Sequence, residues 1–270
     1  MRSLFAFVVA AIVLSSPANA QIYQPAPAPR STSPADLHDA AVQREIRERF
    51  ALGISALTAG NATQAEAEFE AVLALHPREP QGSTAHYDAA LADVGIGKLD
   101  DAAAHLRAAI ALDPAFLAAF ANLIAVDLQR GDLAEARQFA DRFVALAPDS
   151  ARALYSRGIV ALRSGDARTA RADFGRLLES NPSYAVAHYD LGLAEVRIGD
   201  MQSAQREFTA ALQLAPTYAR ASFALGTVLL KSGLKSDARA AFDRAAKDAS
   251  GDVALANIAV AMRDSIAPQP

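Results

Sequence analysis

The residues best suited to chemistry are few, and their spacing keeps them apart. Five histidines, His38, His76, His86, His105 and His188, are the natural candidates for metal ligation or for proton transfer near neutral pH. None has a second histidine at helical spacing, and there is no H-E-x-x-H motif. His86 and His188 stand in the matching segments Ala85-His86-Tyr87-Asp88 and Ala187-His188-Tyr189-Asp190. That parallel suggests a paired site, but the two segments lie 102 residues apart, and a repeated structural position explains them better. Cysteine is absent, which removes thiol nucleophiles, thiolate metal sites and disulfides. No G-x-S-x-G, Walker loop or dinucleotide fingerprint occurs. Asn61-Ala62-Thr63 is formally a glycosylation sequon and nothing more. These residues assemble no catalytic centre, so the sequence predicts neither enzyme activity, nor a metal, nor a cofactor.

What the glycines, alanines and prolines do is more regular. Gly60, Gly97, Gly131, Gly165, Gly199 and Gly233 are spaced by 37 residues and then four times by 34. Ala65, Ala102, Ala136, Ala170, Ala204 and Ala238 keep the same spacings. Pro77, Pro114, Pro148, Pro182 and Pro216 follow suit, with Ser250 in the sixth place. Three columns in one register are an internal repeat. Glycine ends a first helix where the chain reverses with positive φ. Asn61, Asp132, Asp166 and Asp200 follow, with short side chains that cap the next helix. Proline stops the second helix. The alanine column is expected to face a small column on the first helix, Gly53, Ala90, Gly158, Gly192 and Gly226, with Phe69, Leu106, Phe174, Phe208 and Phe242 filling the second-helix seam. In the third repeat Ile124 and Ala140 exchange sizes, which predicts conserved local volume. Three extra residues fall around Pro80-Gln81-Gly82, read as a loop insertion.

The ends differ in kind. Arg2, the apolar run Leu4 to Leu14, and Ala18-Asn19-Ala20 have the layout of a cleavable secretory signal, residues 1–20. Eleven apolar residues are too few for a membrane span of ~20, although an uncleaved anchor is the alternative. Residues 21–33, with Pro25-Ala26-Pro27-Ala28-Pro29, read as an extended linker. Residues 34–266 form the folded part, with Val253 to Ile266 as a capping helix, and 267–270 are a tail. The Ala-rich leader has a bacterial style, so export points to the periplasm or beyond. A net charge of −4, without a basic stripe, gives no sign of nucleic-acid binding.

These glycine, alanine, aromatic and proline columns resemble the tetratricopeptide repeat over roughly Ile46 to Asp252, in units of about 46–79, 83–116, 117–150, 151–184, 185–218 and 219–252. The family often has Trp early in the first helix, where this chain has Arg49, His86, Phe120, Leu154, His188 and Ser222. The resemblance implies an all-α, right-handed superhelical solenoid of six helix–turn–helix repeats plus a C-terminal capping helix. It also implies a concave face lined by first helices that holds a partner segment. Carried onto this register, that face presents Phe50, Tyr87, Ala121, Tyr155, Tyr189 and Phe223. One turn later come Ile54, Leu91, Ala125, Ile159, Leu193 and Thr227. Arg152 and Arg220 lie nearby, with Arg163, Arg197 and Lys231 toward the helix ends.

The candidate groove residues are therefore Tyr87, Leu91, Arg152, Tyr155, Ile159, Tyr189, Leu193, Arg220 and Phe223. They suit a protein or peptide segment with apolar or aromatic anchors and acidic flanks. The same tyrosines suit packing between neighbouring repeats, and one side chain can do both. A Lys/Asn/Arg carboxylate clamp of the kind some family members carry is incomplete, because Tyr87 and Leu91 occupy two of its places. The expected function is an envelope scaffold or adaptor, with self-association through the ends or convex surface as the alternative.

Overall fold

The computed structural model describes residues 34–266, so the leader, the Pro/Ala linker and the tail lie outside the described residues. The described chain is thirteen helices without strands, in two compact units that meet in sequence at Leu146/Ala147. The first unit holds α1 (Pro34–Thr58), α2 (Ala62–Ala74), α3 (Gln81–Ile96), α4 (Leu99–Leu112), α5 (Leu117–Arg130) and α6 (Leu133–Leu146). The second holds α7 (Ala151–Arg163), α8 (Ala167–Ser180), α9 (Ala185–Ile198), α10 (Met201–Leu214), α11 (Ala219–Lys231), α12 (Lys235–Asp248) and α13 (Val253–Ser265). Within each unit consecutive helices pack into antiparallel hairpins that stack on one another. No helix among the described residues is long and apolar enough to cross a membrane.

Local chemistry writes each hairpin. The six turn glycines adopt φ of 76 to 95°, the left-handed region in which a Cβ is costly. The N–H after each glycine returns to the carbonyl five residues back at 2.8–3.0 Å, satisfying the end of the first helix. Asn61, Asp132, Asp166 and Asp200 then accept the N–H three residues on, at 2.9–3.2 Å, and start the second helix.

Packing inside a hairpin corrects one expectation. The alanine column is fully buried, but the small first-helix column faces the phenylalanines. A Cβ placed on Gly53, Gly158, Gly192 or Gly226 would lie 2.5–2.9 Å from the ring of Phe69, Phe174, Phe208 or Phe242. Glycine makes the slot and the ring fills it. In the third hairpin Ile124 and Ala140 are both buried, and the aromatic volume has moved to Phe139 and Phe143, each centred 6.0 Å from Phe120.

The insertion between the first two hairpins is a second correction. Gln81 and Gly82 are helical, and α3 runs for 16 residues against 13 or 14 in α5, α7, α9 and α11. The added turn is anchored by Glu79, which accepts the Ser83 N–H at 3.3 Å, and by the Ser83 and Thr84 hydroxyls, which both donate to the Pro80 carbonyl at 3.0 Å. At the other end α13 covers the last hairpin. Ile266 and Met262 pack on the cluster of Phe242, and Arg239 donates to the Ile266 carbonyl at 2.8 Å.

Candidate functional site

In the second unit, the first helices α7, α9 and α11 each present one aromatic residue in the same register, Tyr155, Tyr189 and Phe223. Each leans on the phenylalanine 19 residues later, in its own hairpin: Phe174 at 5.8 Å, Phe208 at 5.8 Å and Phe242 at 5.4 Å between centroids. Tyr155 and Tyr189 are also covered by the residue that caps the next first helix, Tyr184 at 5.6 Å and Tyr218 at 5.0 Å. Both residues stay half-buried. Ile159 and Leu193 fill the spaces between them against the same cores. Arg152 is half-buried at the start of α7. Arg220 is held by Asp252 at 3.3 Å, and Arg163, Arg197 and Lys231 are exposed at the helix ends.

One polar residue joins this aromatic row. Asp190 is 6% exposed, and its Oδ2 accepts a hydrogen bond from the Tyr155 hydroxyl at 2.9 Å. Burial pushes its carboxyl up to about 7, against the pull of that hydroxyl. The Tyr155 hydroxyl is itself held well above the ordinary phenol range, first by burial and then by the charge of Asp190.

The first unit repeats the register with different contents. Tyr87 is 2% exposed, stacks on Phe116 at 4.9 Å and accepts a hydrogen bond from Asn122 Nδ2 at 3.0 Å. Tyr87–Asn122 and Tyr155–Asp190 are both 35 residues apart, but the Tyr87 hydroxyl accepts where the Tyr155 hydroxyl donates. Leu91 is buried beside it. Asp88 occupies the Asp190 column, but Phe50 stands where its tyrosine would be. Neither Asp88 carboxylate oxygen has a partner; the residue is 0% exposed, and burial pushes it up to about 7. Thus the predicted groove residues Tyr155, Ile159, Tyr189, Leu193 and Phe223 form one face of the second unit, with Arg152 and Arg220 on the same helices. Tyr87 and Leu91 belong to the interior of the first. In the sequence Asp88 and Asp190 stand out only as parts of the two matching histidine segments, and Tyr184 and Tyr218, 34 residues apart, carry no expectation.

The column that departs from the family's Trp has its own logic. Arg49 pairs with Glu68 at 3.3 Å, His86 Nδ1 with His105 Nδ1 at 3.0 Å, and His188 Nδ1 with Glu207 at 2.7 Å, each across one hairpin and 19 residues apart. Phe120 and Phe139 fill the same pair of places. Polar or aromatic, the pair clasps first helix to second. His105 Nε2 also meets Glu70 at 2.9 Å, and burial followed by the charge of His105 pushes His86 down. No group of three or more such side chains that could hold a metal occurs among the described residues.

Tetratricopeptide repeat models match residues 50–92, 155–204 and 189–253, and a second such model matches 95–157. The chain belongs to the tetratricopeptide repeat family. Solved structures share the fold of this repeat protein at low identity. A tetratricopeptide repeat protein from Parabacteroides merdae is 16% identical over 84% of this chain and 94% of that one, with a TM-score of 0.67. MamA from Desulfovibrio magneticus is 19% identical over 63% and 94%, at 0.56. YrrB, described as a TPR protein with an unusual peptide-binding site, is 20% identical over 66% and 92%, at 0.55. No curated protein matches the chain significantly.

Proposed function

We propose that this tetratricopeptide repeat protein is a non-catalytic scaffold or adaptor of the bacterial envelope that holds a partner segment on the first-helix face of its second unit. The observation that carries the reading is the row Tyr155, Tyr189 and Phe223, each backed by a phenylalanine and only half-buried. Rings immobilised before a ligand arrives lose little entropy on binding, and tyrosine offers both contact area and a polar edge. Segments with apolar or aromatic anchors suit this row, and the exposed arginines and lysine at the helix ends suit acidic flanks. YrrB, with its peptide-binding site, is the precedent for such use of the fold. Placement in the envelope rests on the leader-like residues 1–20, with 21–33 as a tether.

The test is capture from a native periplasmic extract by the mature chain and by a Tyr155→Ala/Tyr189→Ala double variant whose helicity and melting are verified. A partner bound by the first and lost by the second supports the face. A partner retained by both refutes it. One observation favours a second reading, self-association. On α13 Val253 is 70% and Ile258 53% exposed, an apolar outer face on a capping helix that a terminal repeat ordinarily keeps polar. Sedimentation velocity across a hundredfold concentration range decides it: a single monomeric species throughout removes this second reading.

A further inference from the structure

The carboxylate of Asp190 has no structural necessity. At the matching place in the first unit Asn122 meets a tyrosine without carrying a charge, there as the donor; Ser156 and Ala224 of this column are neutral too, and Asp88 is its second buried carboxylate. A buried carboxylate costs more than a buried amide unless a cation balances it. The influences on the Asp190 carboxyl are burial and the Tyr155 hydroxyl. Of the two cations that act on neighbouring Tyr189, Arg197 is exposed at the end of α9 and Arg220 is drawn to Asp252 at 3.3 Å.

Asp190 lies among aromatic residues: the Tyr155 hydroxyl donates to it at 2.9 Å, and Tyr189 precedes it in the chain. The rings form two tilted pairs, Tyr155 with Tyr184 and Tyr189 with Tyr218, at 5.6 and 5.0 Å. Aromatic faces attract cations, and a carboxylate accepts the planar fork of a guanidinium through two parallel hydrogen bonds. A buried carboxyl group beside these two tyrosine pairs, on a face that already offers apolar anchors, is therefore complementary to one chemistry. We infer that the Asp190–tyrosine cluster receives a basic side chain, arginine above lysine, of the segment held by the second unit. Asp190 then supplies charge, Tyr155 holds its carboxylate in place, and Tyr184 and Tyr218 flank the incoming group. The inference rests on the groove reading above and assigns that segment its central residue: a basic anchor between apolar ones.

The test is selection from a random decapeptide display library on the mature chain, followed by affinity measurement of the selected peptides by fluorescence anisotropy. Each basic residue is then replaced in turn, arginine by citrulline and lysine by norleucine. The expected result is enrichment of a basic position and a tenfold or greater loss of affinity at one of these replacements. The same loss is expected in Asp190→Asn, a change the Tyr87–Asn122 pair shows this fold accommodates. Tyr184→Ala, at a ring already 38% exposed, gives a second variant that leaves the core intact and is expected to weaken the same peptides several-fold. Peptides that bind without a basic residue, or that Asp190→Asn holds equally well, overturn the basic anchor while leaving the groove standing. Failure to enrich any peptide overturns both.

Discussion

Asp88, Asn122 and Asp190 occupy one column and show what a single residue does to the same fold. Asn122 and Asp190 each meet a tyrosine, whereas Asp88 meets Phe50's place in the register and has no partner for either oxygen. Burial raises the folded-state pKa of Asp88 from 3.8 to about 7. A carboxyl raised in this way stabilises the fold fully below its unfolded value and loses that stability as pH climbs through the folded one. The expected loss between pH 4 and 8 is on the order of 4 kcal/mol for such a group. The melting temperature should therefore be higher at pH 5 than at pH 8. Asp88→Asn should reduce the difference, stabilising the protein at pH 8 by roughly 1–3 kcal/mol. Phe50→Tyr should act in the same direction by giving Asp88 the hydroxyl that Asp190 already has. Thermal unfolding of the three proteins at both pH values is the measurement, and an unchanged pH response in Asp88→Asn counts against the assignment. The tyrosine column was legible in the sequence because aromatic residues recur there at the repeat period, with mostly apolar residues one turn later at i+4. The aspartate column, one residue further on, was not: burial of a carboxylate leaves no mark in a pattern of apolar residues.

At the scale of the helical hairpin, turns were legible and packing partners were not. Positive φ at a repeated glycine and a cap at the following Asp or Asn are local, so Gly131-Asp132 announces itself. The partner of a mid-helix glycine is 16 residues away, and only the structure shows that the ring of Phe174 is what lies nearest to Gly158. The three-residue insertion was misplaced for a related reason, because Pro80-Gln81-Gly82 has loop composition yet Gln81 and Gly82 begin α3. Two glycines test the distinction. A Cβ at Gly158 would stand 2.5 Å from the Phe174 ring, whereas at Gly175, also in a helix, it meets nothing within 4 Å. Alanine gains about 1 kcal/mol over glycine within a helix, and overpacking a full core costs about 1–3 kcal/mol. Gly175→Ala should thus stabilise by about 1 kcal/mol, and Gly158→Ala should lose that gain and destabilise on balance. Urea unfolding of both variants decides it. Stabilisation by Gly158→Ala would mean that the ring has room to retreat.

Over the whole molecule, the repeat period announced the fold, because a 34-residue unit with fixed turn and stop signals leaves little choice but stacked hairpins. Function was less legible, since the side chains of the proposed face also pack, and in the same register Tyr87 is buried while Tyr155 is half-buried. The end of the stack shows the same double use. Helix α13 has no partner helix of its own, yet Ile266 and Met262 close the cluster around Phe242, and Arg263 meets Asp243 at 3.1 Å. Burying an aliphatic side chain of this size contributes roughly 1.5–3 kcal/mol, whereas a half-exposed ion pair contributes no more than about 1 kcal/mol. Ile266→Ser should therefore destabilise more than Arg263→Ala, by a margin of about 1–2 kcal/mol. Because each repeat contacts its neighbours alone, the damage should be graded along the second unit. Hydrogen exchange should quicken most in α12 and α13, less in α11, and least in α7 and α8. Uniform loss of protection across α7 to α13 would instead show that the second unit unfolds as one cooperative block, whose aromatic face could then not be altered one hairpin at a time.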